Sequence, residues 1–242
     1  MRYGLISDIH ANLEALDAVL ASAAKERLDA YMCIGDIVGY GANPKECVEI
    51  IKALKPKAVI AGNHDWGTLG LLDLEYFNEE ARCAIAWTRG VIGQPETDYL
   101  KSFELTWSDD NITLVHGSLD GPQEFHYIFE AKDAGNTFHI SRTALCVVGH
   151  SHIAGIFYHD GQVSGRVEGA SVRIEDGKKY VVNIGSVGQP RDGDPRSSYA
   201  VYNADEGVVE IKRVAYNIEK AQQKILSAGL PEWLAARLAK GR

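Results

Sequence analysis

The stretch "RYGLISDIHANLEALDAVLASAAKERLDAYMCIGD", residues 2–36, decides the fold class. Its opening "RYGLIS" (2–7) is a short apolar run of the kind that forms a buried strand. Residues 11–27 then place Leu13, Leu16, Val19 and Leu20 at helical spacing, and "YMCIG" (31–35) returns to strand character. A strand, a helix and a second strand in one short span call for a right-handed crossover between parallel neighbours.

The unit repeats. Asn43-Pro44 supplies a cap and a first-turn proline for the helix "KECVEIIKAL", and "KAVIAG" (57–62) reads as a third strand. A parallel α/β sheet is the expectation. Residues 65–100 read as mainly helical, and "FELTW" (103–107) and "ITLVH" (112–116) as a hairpin around "SDDN". From "ALCVVG" (144–149) onward, short strands follow: "GIFYH", "QVSGRV", "ASVRIE", "KYVVNIG", "SYAVYN" and "GVVEIKRV". They are expected to build a second, largely antiparallel sheet. Residues 120–142 mix aromatics with Gly, Pro and charges, as either an excursion over a site or a surface insertion. Helical segments at about 217–240, broken at Gly229 and Pro231, are expected to pack on the outside. No repeat or Pro/Ser-rich linker divides the chain, so residues 1–242 read as a single domain.

With 242 residues and 45% hydrophobic content, the chain can bury a sizeable core. Its net charge of -8 argues against an extended nucleic-acid interface, which needs clustered Lys and Arg, but leaves small phosphorylated ligands open. The start "MRYGLISDIH" lacks a basic region followed by an apolar core, and no stretch approaches the roughly 18 apolar residues of a membrane span. A cytoplasmic protein is expected. Cys33, Cys47, Cys83 and Cys146 form no CxxC pair and read as reduced packing residues.

Five apolar runs end in groups that bind metals: Asp8 and His10, Asp36, Asn63 and His64, His116, and His150 with His152. The carboxyl ends of parallel strands share one edge, where ligand sites form, so these residues can meet. Setting His64 aside leaves seven potential ligands, the number needed by two metals with four ligands each and one shared carboxylate. Asp36, alone on its turn, suits the shared position, because a carboxylate has two oxygens. A shell of imidazole and oxygen without thiolate suits Mn, Fe, Co, Ni or Zn better than Mg, with Mn or Fe favoured. Two divalent cations against two aspartates leave about a double positive charge, which favours a phosphate dianion. A metal pair roughly 3.5–4 Å apart activates water and stabilises an in-line displacement, so phosphoester or phosphoanhydride hydrolysis is implied.

The ordered set "SDIH", "GDIVGYG", "GNHD", "VHGS" and "GHSH" resembles the calcineurin-like metallophosphoesterase superfamily, over residues 8 to 152. The resemblance implies a four-layer α-β-β-α sandwich, with two mixed β-sheets flanked by helices. It also implies one metal held by Asp8, His10, Asp36 and His152, and the other by Asp36, Asn63, His116 and His150. His64 would stay unligated and act on the transition state or protonate the leaving oxygen, with Asp65 either orienting its ring or starting a helix. "GDIVGYG" lacks the Asp-Arg-Gly ending of the protein serine/threonine phosphatase branch. "NIGSVGQPRDGDPRSSYAVY" and "AGLPEWLAARLAKG" resemble bacterial and archaeal phosphoesterases grouped near the diadenosine tetraphosphatases.

Three further residues are candidates for substrate contact. Asn12 serves either a phosphate oxygen or the N-terminus of the following helix, and Arg191 and Arg196 lie in a turn-rich loop from which either can offer bidentate donors. His126, His139 and His159 match no motif and read as surface or packing groups, and Trp66 as a packing residue. The expected partner is a small phosphorylated substrate. A DNA nuclease would add a basic groove, and a non-catalytic metal-binding scaffold would have lost ligands.

Overall fold

In the computed structural model, which describes residues 1–242, the opening run forms β1 (Arg2–Ile6) near the centre of a six-stranded sheet. Parallel neighbours β2 (Ala30–Cys33) and β3 (Ala58–Val59) extend it on one side, with Leu5 opposite Met32. The crossovers are α1 (Leu13–Ala23) and α2 (Pro44–Leu54). The second sheet is built around β5 (Ile112–Val115), β6 (Leu145–Val148) and β10 (Lys179–Asn183), all parallel. Antiparallel strands close its edges: β4 (Thr106–Ser108) on one side, then β7 (Gly155–His159) and β8 (Ser164–Arg166) on the other.

Alternation along the strands explains the layering. Leu5, Met32, Ile34 and Ile60 of the first sheet face Leu114, Val147 and Val182 of the second across the central core. Their neighbours Ile6 and Cys33 point the other way and pack on Leu16 and Val19 of α1, Ile51 of α2 and Leu100 of α5 (Gln94–Lys101). On the far side Val115, Cys146 and Val148 meet Phe138 of α6 (Gly135–Ile140) and Ile128. The result is the helix–sheet–sheet–helix order, with a thin fourth layer.

Two sequence expectations need correction. The strands after residue 144 do not form one antiparallel sheet: β9 (Ser171–Arg173), β11 (Ser197–Asn203) and β12 (Val208–Val214) join the first sheet through β1–β11 pairing. Alternation identifies a strand but not the edge that receives it. The third strand is also shorter than "KAVIAG" suggested, because beyond Val59 only Ile60 makes a further bridge, to Glu104.

Helices α3 (Asn63–Leu69) and α4 (Glu79–Val91) occupy the stretch expected to be helical. At the end of the chain come α7 (Ile218–Ser227), α8 (Glu232–Ala236) and a tight turn at Leu238–Lys240. They share an apolar cluster with Ala84 and Ile85 of α4, Phe77 and Tyr40. All four cysteines are free, and Cys83 is exposed rather than packed.

One loop ties β10 and β11 to the end of β1. Val187 N donates to Ser7 O at 2.9 Å, Gly188 N to Asp8 O at 2.9 Å, and Ser186 Oγ to Asp8 O at 2.8 Å. A Cβ at Gly188 would collide with the main-chain carbonyl of Ile9, which no rotamer change relieves. Gly188→Ala is expected to cost about 2–3 kcal/mol. Chemical denaturation checks this, and an unchanged midpoint would mean that the loop is not held where the structure places it.

Candidate metal centre

The candidate donors sit where strands of both sheets end. Asp8 and His10 follow β1, Asp36 follows β2, His116 follows β5, and His150 and His152 follow β6. Five of the seven, Asp8, His10, Asp36, His150 and His152, have left-handed backbones with φ between 49° and 65°. Non-glycine residues seldom adopt this conformation, and it turns each side chain sharply back over the strand ends. Gly149 lets the turn before His150 lie directly on Ser7 and Asp8, where a Cβ would clash.

The turns bring the six Asp and His candidates together in two groups that share Asp36. Asp8, His10, Asp36 and His152 offer ligand atoms within 4.8 Å of one another, as do Asp36, His116 and His150. In the first group His10 Nε2 lies 3.0 Å from His152 Nε2, and His152 Nε2 lies 3.1 Å from Asp8 Oδ1. Asp36 Oδ2 stands between the groups, 3.5 Å from His10 Nε2 and 3.3 Å from His116 Nε2. Asn63, which opens α3, lines a cleft with His150, and its buried Oδ1 has no hydrogen-bond partner in the protein.

Several buried atoms at the centre lack a partner, and this shows what the site suits. Asp36 Oδ2 and His116 Nε2 approach closely but are too poorly aligned for a hydrogen bond, and both are unpartnered, like Asn63 Oδ1. Buried polar groups in this state are costly unless something else binds them. The opposite edges of three imidazoles are held: His10 Nδ1 lies 3.1 Å from Val38 O, His116 Nδ1 2.6 Å from Ile34 O, and His152 Nδ1 2.6 Å from Gln189 O. A carbonyl accepts from an N–H, so each contact puts a proton on Nδ1 and turns Nε2 inward, where it offers a lone pair in the neutral ring. A donor set of nitrogen and oxygen fits divalent transition ions. Asp36 offers one oxygen for sharing rather than two, because its Oδ1 accepts from His64 N at 2.8 Å.

Burial would raise Asp8 and Asp36, but the nearby histidines hold both carboxyls well below the usual range: His152 and His116 for Asp8, His116 and His64 for Asp36. Burial drives His10 and His150 far below the ordinary imidazole value and lowers His152. His116 differs. Burial lowers it, yet Asp36, with help from Asp8, raises it to about 10.

His64 is buried, lies outside both donor groups and is packed between Tyr40 at 4.4 Å, His10 at 4.8 Å and Phe77 at 5.1 Å, measured between ring centroids. Its Nδ1 has no partner, and burial takes its pKa down to about 4. Asp65 does not orient this ring. Its carboxylate accepts instead from the main-chain amides of Asp36, Ile37, Val38 and Gly62, at 2.8–3.3 Å. Asn12 is also committed: its Oδ1 accepts from Ala15 N at 3.2 Å, capping α1, and its Nδ2 donates to Gly188 O at 2.8 Å. Arg196 is exposed and paired with Asp194. Arg191 is at the site, its guanidinium 5.5 Å from the centre of the Tyr40 ring and its charge felt by His10, His64 and His152.

Residues 120–142 do reach the site. Tyr127 stacks on His150 at 3.9 Å, and Phe125 lies 6.1 Å from the His116 ring. They help to line a cleft of about 310 Å³ with Asn63, Tyr76, Phe77 and His126. Sequence reasoning missed Tyr40 and Tyr127 as neighbours of the donors. Tyr40 lay inside "GDIVGYG" and was open to notice, whereas nothing local marked Tyr127.

His116 makes a testable difference to the metal-free protein. Its proton is lost near the ordinary imidazole value when unfolded and near 10 when folded, so the folded state holds more protons between those values. Its contribution is therefore complete below about pH 6.5 and falls as pH rises towards 10. Chelated protein should lose about 1.4 kcal/mol per pH unit between roughly pH 7.5 and 8.5 relative to His116→Gln, followed by urea unfolding. Parallel curves for the two proteins would rule out a retained proton.

Comparison with known proteins agrees with this geometry. The model of the calcineurin-like phosphoesterase superfamily domain matches residues 1–207. An uncharacterised protein of Methanocaldococcus jannaschii is 40% identical over 98% of this chain and 97% of its own. A crystal structure of a metallophosphoesterase from Sphaerobacter thermophilus is 40% identical, covers all of both chains and superposes with a TM-score of 0.87. A hypothetical protein from Pyrococcus horikoshii OT3 shares the fold at 21% identity, covering 100% of this chain and 98% of its own, with a TM-score of 0.81. A match over most of the chain and two relatives at 40% identity, on a fold whose strand ends gather imidazoles and carboxylates, show that this chain belongs to the calcineurin-like phosphoesterase superfamily.

Proposed function

We propose that the chain is a dinuclear metal-dependent hydrolase of phosphoester or phosphoanhydride bonds in small phosphorylated molecules. One observation carries the reading: the single unpartnered oxygen of buried Asp36 faces His10 on one side and His116 on the other, each within a separate donor group. Asp8, His10, Asp36 and His152 would hold one ion, and Asp36, Asn63, His116 and His150 the other, with Mn or Fe favoured. Such ions supply Lewis acidity towards the phosphoryl group and acidify an attacking water.

The chain's own residues do the rest. The carbonyls of Val38, Ile34 and Gln189 fix the imidazoles in orientation. Phe77 and Tyr40 exclude water around His64, whose ring N–H is offered to the leaving oxygen or to the charge that develops there. The neighbouring cleft receives the leaving group, and its size suits a small molecule. No helix is long and apolar enough to cross a membrane, and the cytoplasmic location expected from the sequence is part of the proposal.

Asp36→Ala removes the shared ligand and should lower both metal equivalents, measured by elemental analysis of protein purified without chelator. One full equivalent retained would assign the bridge elsewhere. Removing the metals with a chelator should abolish turnover, and adding them back should restore it.

His64→Ala should keep both metals and lose turnover by roughly 10²- to 10⁴-fold on an alkyl phosphate, with a smaller loss on p-nitrophenyl phosphate, whose leaving group needs less help. Equal losses on the two substrates would limit His64 to stabilising charge. Metal loss in this variant would overturn the ligand assignment.

A further inference from the structure

The cleft of about 310 Å³ beside the metal centre is lined by two candidate donors to the second ion, Asn63 and His150, and most of the remaining lining is aromatic or apolar. Tyr76 and Phe77 come from the link between α3 and α4, Phe125 and Tyr127 from residues 120–142. Three of these rings are already engaged: Phe77 lies 5.1 Å from His64, Phe125 5.5 Å from Trp66, and Tyr127 3.9 Å from His150, between ring centroids. Tyr76 is not. It stands on a single tight turn, Leu74–Tyr76, is 74% exposed and packs on no other aromatic ring.

Exposed apolar surface gathers around this cleft. Tyr76 and Tyr127 line it, exposed Phe129 stacks with Tyr127 at 5.2 Å, and exposed Leu71 adjoins the lining residue Leu72. Apolar groups scattered singly over a surface need no explanation, but a cluster at one concavity marks a surface built to be covered. Charge narrows what covers it. No lysine or arginine lines the cleft, and Glu124 contributes a carboxylate. A second phosphate, such as the leaving group of a phosphoanhydride, would be repelled there with no cation to offset it. A polyol would leave the rings without apolar contact, whereas an uncharged aromatic group offers a flat face to Tyr76. A cleft of about 310 Å³ lies at the small end of ligand sites, which suits a compact ring-bearing group rather than a segment of polymer.

We propose that this cleft takes a flat, uncharged aromatic leaving group, with Tyr76 stacking on its face while the phosphate sits at the metal centre. The substrates are then phosphoesters of alcohols that carry an aromatic ring, nucleosides among them, rather than phosphoanhydrides or the phosphates of simple sugars. The assignment rests on the hydrolase reading for its reaction, but the aromatic subsite is testable without turnover.

The test is calorimetric titration of the manganese-loaded full chain with benzylphosphonate and cyclohexylmethylphosphonate, which share a head group that cannot be hydrolysed and differ in the aromatic ring. Turnover of benzyl phosphate, adenosine monophosphate and ribose phosphate is assayed alongside. The parent should bind benzylphosphonate at least about threefold tighter than its saturated analogue. Tyr76→Ala should weaken benzylphosphonate roughly 5- to 20-fold and the saturated analogue less than about threefold, while Tyr76→Phe, which keeps the ring, should stay within about twofold of the parent. A carboxylate added to the benzyl ring should weaken binding about three- to fivefold. In the assays, kcat/KM highest for adenosine monophosphate assigns the ring to a nucleobase, and highest for benzyl phosphate to a simple aryl group. Ribose phosphate turned over as well as either overturns the aromatic preference. Equal losses of the two phosphonates in Tyr76→Ala, or no loss, overturn the stacking role, and a parent that binds the saturated or the carboxylated analogue as tightly as benzylphosphonate overturns the subsite. So does a parent that binds no phosphonate. If the parent binds as expected but turns over none of the esters, the hydrolase reading fails and the subsite stands.

Discussion

Two carboxylates, Asp8 and Asp36, have no solvent exposure and lie in one site, and the architecture around them is organised by the need to balance that charge. Part of the balance comes from main-chain donors: His150 N lies 3.1–3.2 Å from both oxygens of Asp8, and His64 N donates to Asp36. Part comes from His116, which keeps a proton in the metal-free chain because Asp36 is beside it. Burial lowers His10, His150 and His152 and so favours their neutral forms. They can offer lone pairs. Neutral imidazoles beside buried carboxylates make a poor salt bridge but a good shell for cations.

The stacked sheets make that arrangement affordable. Left-handed backbone at five donor positions costs conformational energy, and such strain persists only where the surroundings over-determine it. Here the strands before the turns are buried on both faces, and each turn is pinned by main-chain bonds, among them Asp8 N to Gly35 O and His10 N to Asp36 O, each at 3.0 Å. Helices α1, α2 and α5 hold one sheet from outside and the central core holds it from inside. The donors can then sit on short loops yet stay in register, because the loops have almost no freedom left.

The sequence made the donors legible because each follows an apolar run directly, as Asp8 follows "RYGLIS" and His150 follows "ALCVVG". Apolar periodicity likewise revealed the first parallel crossovers. What stayed hidden depends on long-range geometry. Sheet membership of β9, β11 and β12 is set by pairing with β1, a contact across nearly the whole chain, on which alternation is silent. The work of Asp65 was hidden for a related reason: adjacency to His64 in "GNHD" suggested contact with its ring, while the helix turn points the carboxylate back to the loop after β2. Asn12 and Arg196 were chemically capable of holding phosphate, and nearby backbone or acidic partners claim them first.

That placement of Asp65 joins two motifs that are separate in sequence. Asp65 gathers the amides of residues 36–38 and of Gly62, and Asp36 in return accepts from the amide of His64. The loop after β2 and the start of α3 therefore form one reciprocal clamp, with a carboxylate from each side bound to the backbone of the other. Gly62 is needed at the seam because a side chain there would strike Asp36 Oδ1. Since Oδ1 is used in the clamp, only Oδ2 remains for the two donor groups, and the position of that oxygen is tied to the position of the His64 ring. The group that both metals would share and the group that would meet the leaving oxygen are thus held by the same few hydrogen bonds, and neither can shift without the other.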